Sequence, residues 1–180
     1  MLFRYAKLTD LSHFSVCLLK VCMEVLNLPA FEPRIRNGKG RFDEIWDPLR
    51  KKFVALTPEE WVRQHILNFL TQHRGYPSSL IRVEAALTYN RMKKRSDVVA
   101  YSSQGNPLLL VECKAPQVEL NQSVFDQVAM YNVTFSGRCL LVTNGMKHLA
   151  CEIDHQNKKW KFLPDIPHYS DICTLNHELP

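Results

Sequence analysis

Between Arg91 and Tyr131 the hydrophobic pattern changes period twice, which marks three elements. Ser96 to Ser102 (SDVVAYS) alternates and is rich in β-formers, so it reads as a strand. Pro107 to Cys113 (PLLLVEC) is nearly continuous in apolar residues, as expected of a strand buried on both faces. The intervening SSQGN, followed by proline, is a turn. The two strands form a hairpin, and antiparallel pairing brings Asp97, near the start of the first, to Glu112, near the end of the second. From about Asn121 to Phe135 the pattern becomes helical, ending at Gly137.

The same reading extends outwards. Thr57 is an N-cap with Pro58 at N1 and Glu60 at N3, a capping box. Its helix is expected to reach about His73 and stop near Gly75, burying Trp61, Ile66, Phe69 and Leu70. Leu80 to Tyr89 and Arg138 to Thr143 read as strands. Asn144-Gly145 turns into Lys147 to Ile153, and residues 154–158 turn into Lys159 to Leu163. Upstream, Phe31 to Asp47 reads as a hairpin around Asn37-Gly38 with charged outer faces, and Pro48 to Leu56 as its link to the helix. The expected fold class is α/β with mixed pairing. Strands beginning near 80, 96, 107 and 138 make the central sheet, with the two helices covering it. The expected division is an extension over 1–22, a hairpin and linker over 23–56, a core over 57–167 and a polar tail over 168–180. Arg4, Lys7 and the apolar run after them mimic a signal peptide, but Lys20 interrupts the run and no small-residue cleavage site follows. Met23 is an alternative start.

Composition sharpens the picture at three points. The 180 residues suffice for one domain with a real core, and 46% hydrophobic with 23% charged residues is the balance of a soluble globular protein. No apolar run has the length of a membrane span. The net charge of +5 is bunched in three places: Arg34, Arg36, Lys39 and Arg41; Arg50, Lys51 and Lys52; and Arg91, Lys93, Lys94 and Arg95. Such clusters attract a phosphate backbone when they share a face, although any one of them is also ordinary solvated charge. The six cysteines contain no Cys-x-x-Cys pair, which argues against zinc. Cys113, Cys139 and Cys151 fall in apolar strand patterns and read as small core residues, in keeping with a reducing, cytoplasmic setting.

The candidate chemistry lies at the hairpin ends. Glu112 and Lys114 are two apart and share a strand face. An acid closing an apolar run is costly to desolvate unless it is paired or binds a cation. Two convergent carboxylates make a hard oxygen site suited to Mg²⁺ or Mn²⁺, and a neighbouring lysine orients water and stabilises phosphate charge. This is the equipment of metal-assisted phosphodiester hydrolysis. Alone, Glu-x-Lys at a strand end is more often a surface ion pair. Asp97 at hairpin distance shifts that balance, as do Gln127 and Tyr131, which share one helix face at i and i+4. Glu60 has two readings, helix cap or third carboxylate. Glu84 likewise either faces the site or pairs with Arg82 or Arg91.

The ordered set Asp97, Glu112-Cys113-Lys114 and Gln127-x-x-x-Tyr131 resembles the PD-(D/E)XK nucleases. More narrowly, it resembles the N-terminal nuclease domain of type I restriction enzyme R subunits, in short stand-alone bacterial form. Thr57 to Gln64 (TPEEWVRQ), Leu110 to Pro116 (LVECKAP) and Val142 to Gly145 (VTNG) fit that subgroup, and the likeness spans roughly Leu28 to Pro167. Ser96 stands where the family motif has proline. The resemblance implies a restriction-endonuclease-like mixed sheet flanked by helices and a Mg²⁺- or Mn²⁺-dependent DNA endonuclease. In it Asp97, Glu112 and the backbone carbonyl of Cys113 hold the metal, with Glu60 the candidate third carboxylate; Lys114 positions water; Gln127 and Tyr131 contact DNA or brace the site. Lys93, Lys94 and Arg95 are expected on the DNA backbone. The alternative is a catalytically silent nuclease fold that binds DNA or a restriction or repair partner. No Gly-x-x-x-x-Gly-Lys-Ser/Thr loop is present, so a motor or specificity function falls to a separate subunit.

Overall fold

The computed structural model describes residues 23–89, 92–132 and 137–174, leaving aside the side chains of 86–89, 92–95 and 130–132. The expected extension over 1–22 lies outside the described residues. Two sheets organise the rest. The small one contains β1 (Ile35–Arg36), β2 (Glu44–Asp47) and β3 (Lys52–Ala55), antiparallel in the order β1-β2-β3. Helix α1 (Pro58–His73) follows. The large sheet has β4 (Ile81–Tyr89), β5 (Met92–Tyr101), β6 (Pro107–Cys113), β7 (Cys139–Thr143), β8 (His148–Asp154) and β9 (Lys159–Phe162) as neighbours in sequence order. Helix α2 (Gln122–Asn132) lies between β6 and β7, the one parallel pair; the other neighbours are antiparallel. A short helix α3 (Tyr169–Thr174) closes the described chain.

The apolar runs explain the centre. All five residues of β7 are buried, and Leu108 to Val111 of β6 are essentially inaccessible. Alternation divides their side chains between two cores. Leu109, Val111, Cys113 and Leu141 pack with Val62, Ile66 and Leu70 of α1. On the other face Leu110, Leu140 and Val142 pack with Phe125 and Ala129 of α2. Trp61 and Phe69, expected in the buried stripe of α1, are partly buried at its margin. Cys113, Cys139 and Cys151 are fully buried. Burial pushes all three thiols up, Cys139 and Cys151 to about 12. A thiol reagent is therefore expected to label the half-buried Cys173 in the native protein but these three only after unfolding, as read by peptide mapping.

Three differences from the sequence reading have physical causes. The central sheet has six strands rather than four, because β8 and β9 continue it beyond β7. Strand β5 begins at Met92, earlier than the alternation at Ser96, because it pairs with β4 through Tyr89↔Met92. That basic ribbon has no apolar alternation to reveal it. The expected linker contains β3, and the expected polar tail contains α3. Ile172 and Ile166 are buried, Tyr169 packs edge-on against Tyr76, and the Tyr76 hydroxyl donates to the Pro167 carbonyl at 3.1 Å. The expected tight turn at Asn37-Gly38 is instead a longer loop, residues 37–43, between the paired Arg36 and Glu44; within it a Cβ at Gly38 would lie 2.0 Å from the Phe42 carbonyl oxygen, so only glycine fits.

Candidate active site

β5 and β6 pair from Tyr101↔Pro107 to Val98↔Val111. One step beyond, Asp97 stands across from Glu112. There the ladder gives way to a side chain: Asp97 accepts the Cys113 N–H on Oδ2 at 2.7 Å. The next amide, of Lys114, turns the other way and donates to the Thr143 carbonyl of β7 at 2.8 Å. Glu112 and Lys114 share a face as expected, and Lys114 Nζ donates to Glu112 Oε1 at 2.9 Å. Asp97, Glu112 and Lys114 are all partly solvent-accessible. Their neighbours' titration reports their proximity. Burial works against the charge of Lys114, but its bond to Glu112 and the charges of Glu112, Glu59 and Asp97 raise its pKa.

Helix α1 supplies the facing wall. Arg63 Nη2 donates to Asp97 Oδ1 at 2.8 Å and lies 3.3 Å from Glu59 Oε1. Although burial disfavours the Arg63 charge, Asp97 and Glu60 more than compensate and hold its pKa above the ordinary value. Glu59 is half exposed, and its carboxyl is pushed above the usual range by burial and by the charge of Asp97, with Glu112 adding to the effect. The helix acid that senses the strand carboxylates is thus Glu59.

Glu60 is engaged elsewhere. Its backbone N–H donates to Thr57 Oγ1 at 3.1 Å, confirming the N-cap. The reciprocal half of the capping box is absent, since Thr57 N–H donates to the Ala55 carbonyl. The Glu60 side chain is buried and holds Arg50, Arg63 and Gln64. With both oxygens taken by these donors, the side chain does not return to the Thr57 amide. Instead it is the middle of a buried alternating chain, Asp47–Arg50–Glu60–Arg63–Asp97, that ties β2 through α1 to β5. Arg50 and Gln64 both donate to Asp47, at 2.6 and 2.9 Å.

Glu84 also differs from expectation. It pairs with Arg50, at 3.4 Å, a partner the sequence reading did not name, while Arg91 lies outside the described residues. It stands across β4–β5 from Asp97, between the ladder pairs Val83↔Val98 and Ala85↔Ser96, with φ +52°. A non-glycine residue in that region costs roughly 1–2 kcal/mol, so the sheet is strained directly behind Asp97. Gln127 is exposed on α2. Tyr131 lies on α2, and Lys93, Lys94 and Arg95 on β5, but their side chains are outside the described ones. Sequence reasoning gave no role to Asp47 or Gln64, and counted Arg50 in a basic cluster for phosphate, whereas Arg50 is largely buried in ion pairs with Asp47, Glu60 and Glu84. The one available signal was the spacing of Glu59, Glu60 and Arg63 on a helix, which places Arg63 at i+4 and i+3 from the two acids.

Among the described residues, no three acidic, thiol or imidazole side chains are grouped to hold a metal ion. Mg²⁺ needs no such group, since it keeps several waters and uses one or two carboxylates. Asp97 and Glu112 match that requirement in donor type.

Residues 58–167 match the family described as type I restriction enzyme R protein N terminus (HSDR_N). None of the curated proteins compared matches the chain. Among solved structures, the chain is similar to a fragment of a protein assigned as an HsdR subunit of a type I restriction enzyme from Vibrio vulnificus YJ016. The identity is 18% and the TM-score 0.48, over 67% of this chain. The match spans 25% of that chain.

Proposed function

The chain belongs to the type I restriction enzyme R protein N-terminal family, and from that premise we propose that it is a DNA endonuclease dependent on Mg²⁺ or Mn²⁺. The observation that carries this reading is the meeting of Asp97, Glu112 and Lys114 at one end of the β5–β6 pair, faced by Glu59 and Arg63 of α1. Asp97 and Glu112 would hold the cation, with the backbone carbonyl of Cys113 as a further oxygen ligand. When bound, the cation supplies Lewis-acid stabilisation of the phosphate and a more acidic water.

The protein's own groups do the rest. Lys114 stays protonated while Glu112 holds it, so its Nζ orients water and stabilises negative charge on the phosphate rather than acting as a base. Arg63, fixed by Glu60, offers a second cation beside Asp97. Glu59 takes the place expected of Glu60 as the acid contributed by α1. Gln127 and Tyr131 support the site or touch DNA, and Lys93, Lys94 and Arg95 hold the backbone. Motor and sequence-specificity functions would be supplied from outside these 180 residues, for instance by a helicase or specificity subunit, and the setting is the cytoplasm.

The test is direct. The purified chain is incubated with Mg²⁺, Mn²⁺ or EDTA on supercoiled, linear, single-stranded and branched DNA. Metal-dependent cleavage of at least one form is expected. No cleavage of any form, with DNA binding retained, would replace this reading with the catalytically silent module.

A further inference from the structure

The nuclease site leaves one built surface unused: the outer face of the β1–β3 sheet. Trp46 and Phe53 are ladder partners, so they point to the same side, opposite to the buried Ile45 and Asp47. Their rings meet edge-on with centroids 5.3 Å apart. Each carries a guanidinium. Arg34 lies 5.2 Å from the Trp46 ring centre, and Arg36 lies 4.0 Å from that of Phe53. The two rings are half-buried, while both arginines are exposed. Arg36 also holds Glu44, the acid that shares this face, at 2.6 Å. Exposed cations flank the platform on the joining segments: Lys39 and Arg41 between β1 and β2, and Lys51 between β2 and β3. At the Arg34–Trp46 end it forms one lip of a cleft of about 610 Å³, whose far wall includes Asn68 and Gln72 of α1.

We propose that this face is a stacking platform for single-stranded nucleic acid. Unpaired bases have free π-faces, and aromatic side chains on an open sheet, interleaved with arginine planes, stack on them whatever the sequence. The surrounding lysines and arginines track the phosphates. A duplex keeps its bases stacked internally and uses only the charge. A protein ligand would need an acidic surface to match the arginines and lysines around the rings. The platform is rigidly placed, because β2 runs from Trp46 directly into Asp47, the first member of the ion-pair chain that ends at Asp97. The inference goes beyond the nuclease reading and stands without it, since binding needs no metal.

The experiment uses the whole chain in EDTA, which separates binding from cleavage. Oligo-dT is expected to quench tryptophan fluorescence. Trp46→Phe keeps a stacking ring, so it should retain the affinity and lose most of the quench. Trp46→Leu and Phe53→Leu should weaken oligo-dT binding by roughly 5- to 100-fold, as expected for lost base stacking. A blunt duplex of equal length and inorganic polyphosphate should bind less tightly than oligo-dT and cause little quench. Circular dichroism melts verify that the leucine variants are folded; if one is not, the Trp46→Phe quench decides. Three results would each overturn the proposal: quenching that persists in Trp46→Phe, folded leucine variants with unchanged affinity, or duplex and polyphosphate binding as tightly as oligo-dT.

Discussion

Replacing Asp47 by Ala is expected to cost about 3–5 kcal/mol of folding stability, the range for a buried charge that loses its partner. Asp47 is fully buried and accepts from the Leu49 and Arg50 amides, Arg50 Nε and Gln64 Nε2. Its removal leaves Arg50 largely buried, with Glu60 and Glu84 remaining, and cuts the tie between the small sheet and α1. The pH dependence has a definite sign. Burial alone would raise the Asp47 pKa, but the hydrogen bonds from Arg50 and Gln64 and the charge of Arg50 outweigh it and depress the folded-state value below 3.8. A depressed carboxylate contributes stability above its unfolded pKa and loses it as pH falls through the folded one. The wild type should therefore lose this contribution as pH falls below about 4, and Asp47→Ala should lack that part of the acid transition. Urea melts at neutral and acid pH measure both effects. A variant as stable as wild type at neutral pH would show that the ion-pair chain has no net role in stability.

The parts of this fold that were legible in sequence are those where one face pattern decides. The β5–β6 hairpin, the cap of α1 and the crossover through α2 follow from period and punctuation. They also place Asp97, Glu112 and Lys114 together before any coordinates are seen, because an antiparallel hairpin fixes which ends meet. What was not legible depends on long-range pairing among polar groups. The basic start of β5 is a strand only because β4 is beside it. The role of Glu60 could not be separated from that of Glu59, since adjacent helix residues differ by about 100° and sequence does not tell which side faces the strands. In the structure Arg50 draws Glu60 and Asp47 into the interior, while Glu59 reaches Arg63, the partner of Asp97. Burial of Ile172 in α3 is a single apolar anchor in a polar stretch, too sparse to register as a pattern.

Asp97→Ala and Lys114→Ala should both stop cleavage while moving DNA affinity in opposite directions. Asp97 removes one of two carboxylates on which cation binding rests, and the Lewis-acid contribution is worth several kcal/mol, on the order of 10³-fold in rate. The same substitution deletes a negative charge facing phosphate and leaves Arg63 Nη2 with Glu59 alone of its two acceptors, so binding should be kept or tightened. Lys114→Ala removes a cation already held at the site by Glu112, and its loss should slow cleavage by roughly 10²–10³-fold. Binding should weaken, with a log–log salt slope shallower by about one. Gln127→Ala should slow the reaction less than either, since an exposed helix amide supports the site without holding the cation. Cleavage assays in Mg²⁺ and affinity titrations in EDTA across a salt series separate the two readouts. A surface ion pair without function predicts no change in cleavage from either variant and no divergence in binding. If that pattern is observed with cleavage intact, the metal-bearing roles of Asp97 and Glu112 are wrong and the reaction is carried elsewhere on the chain.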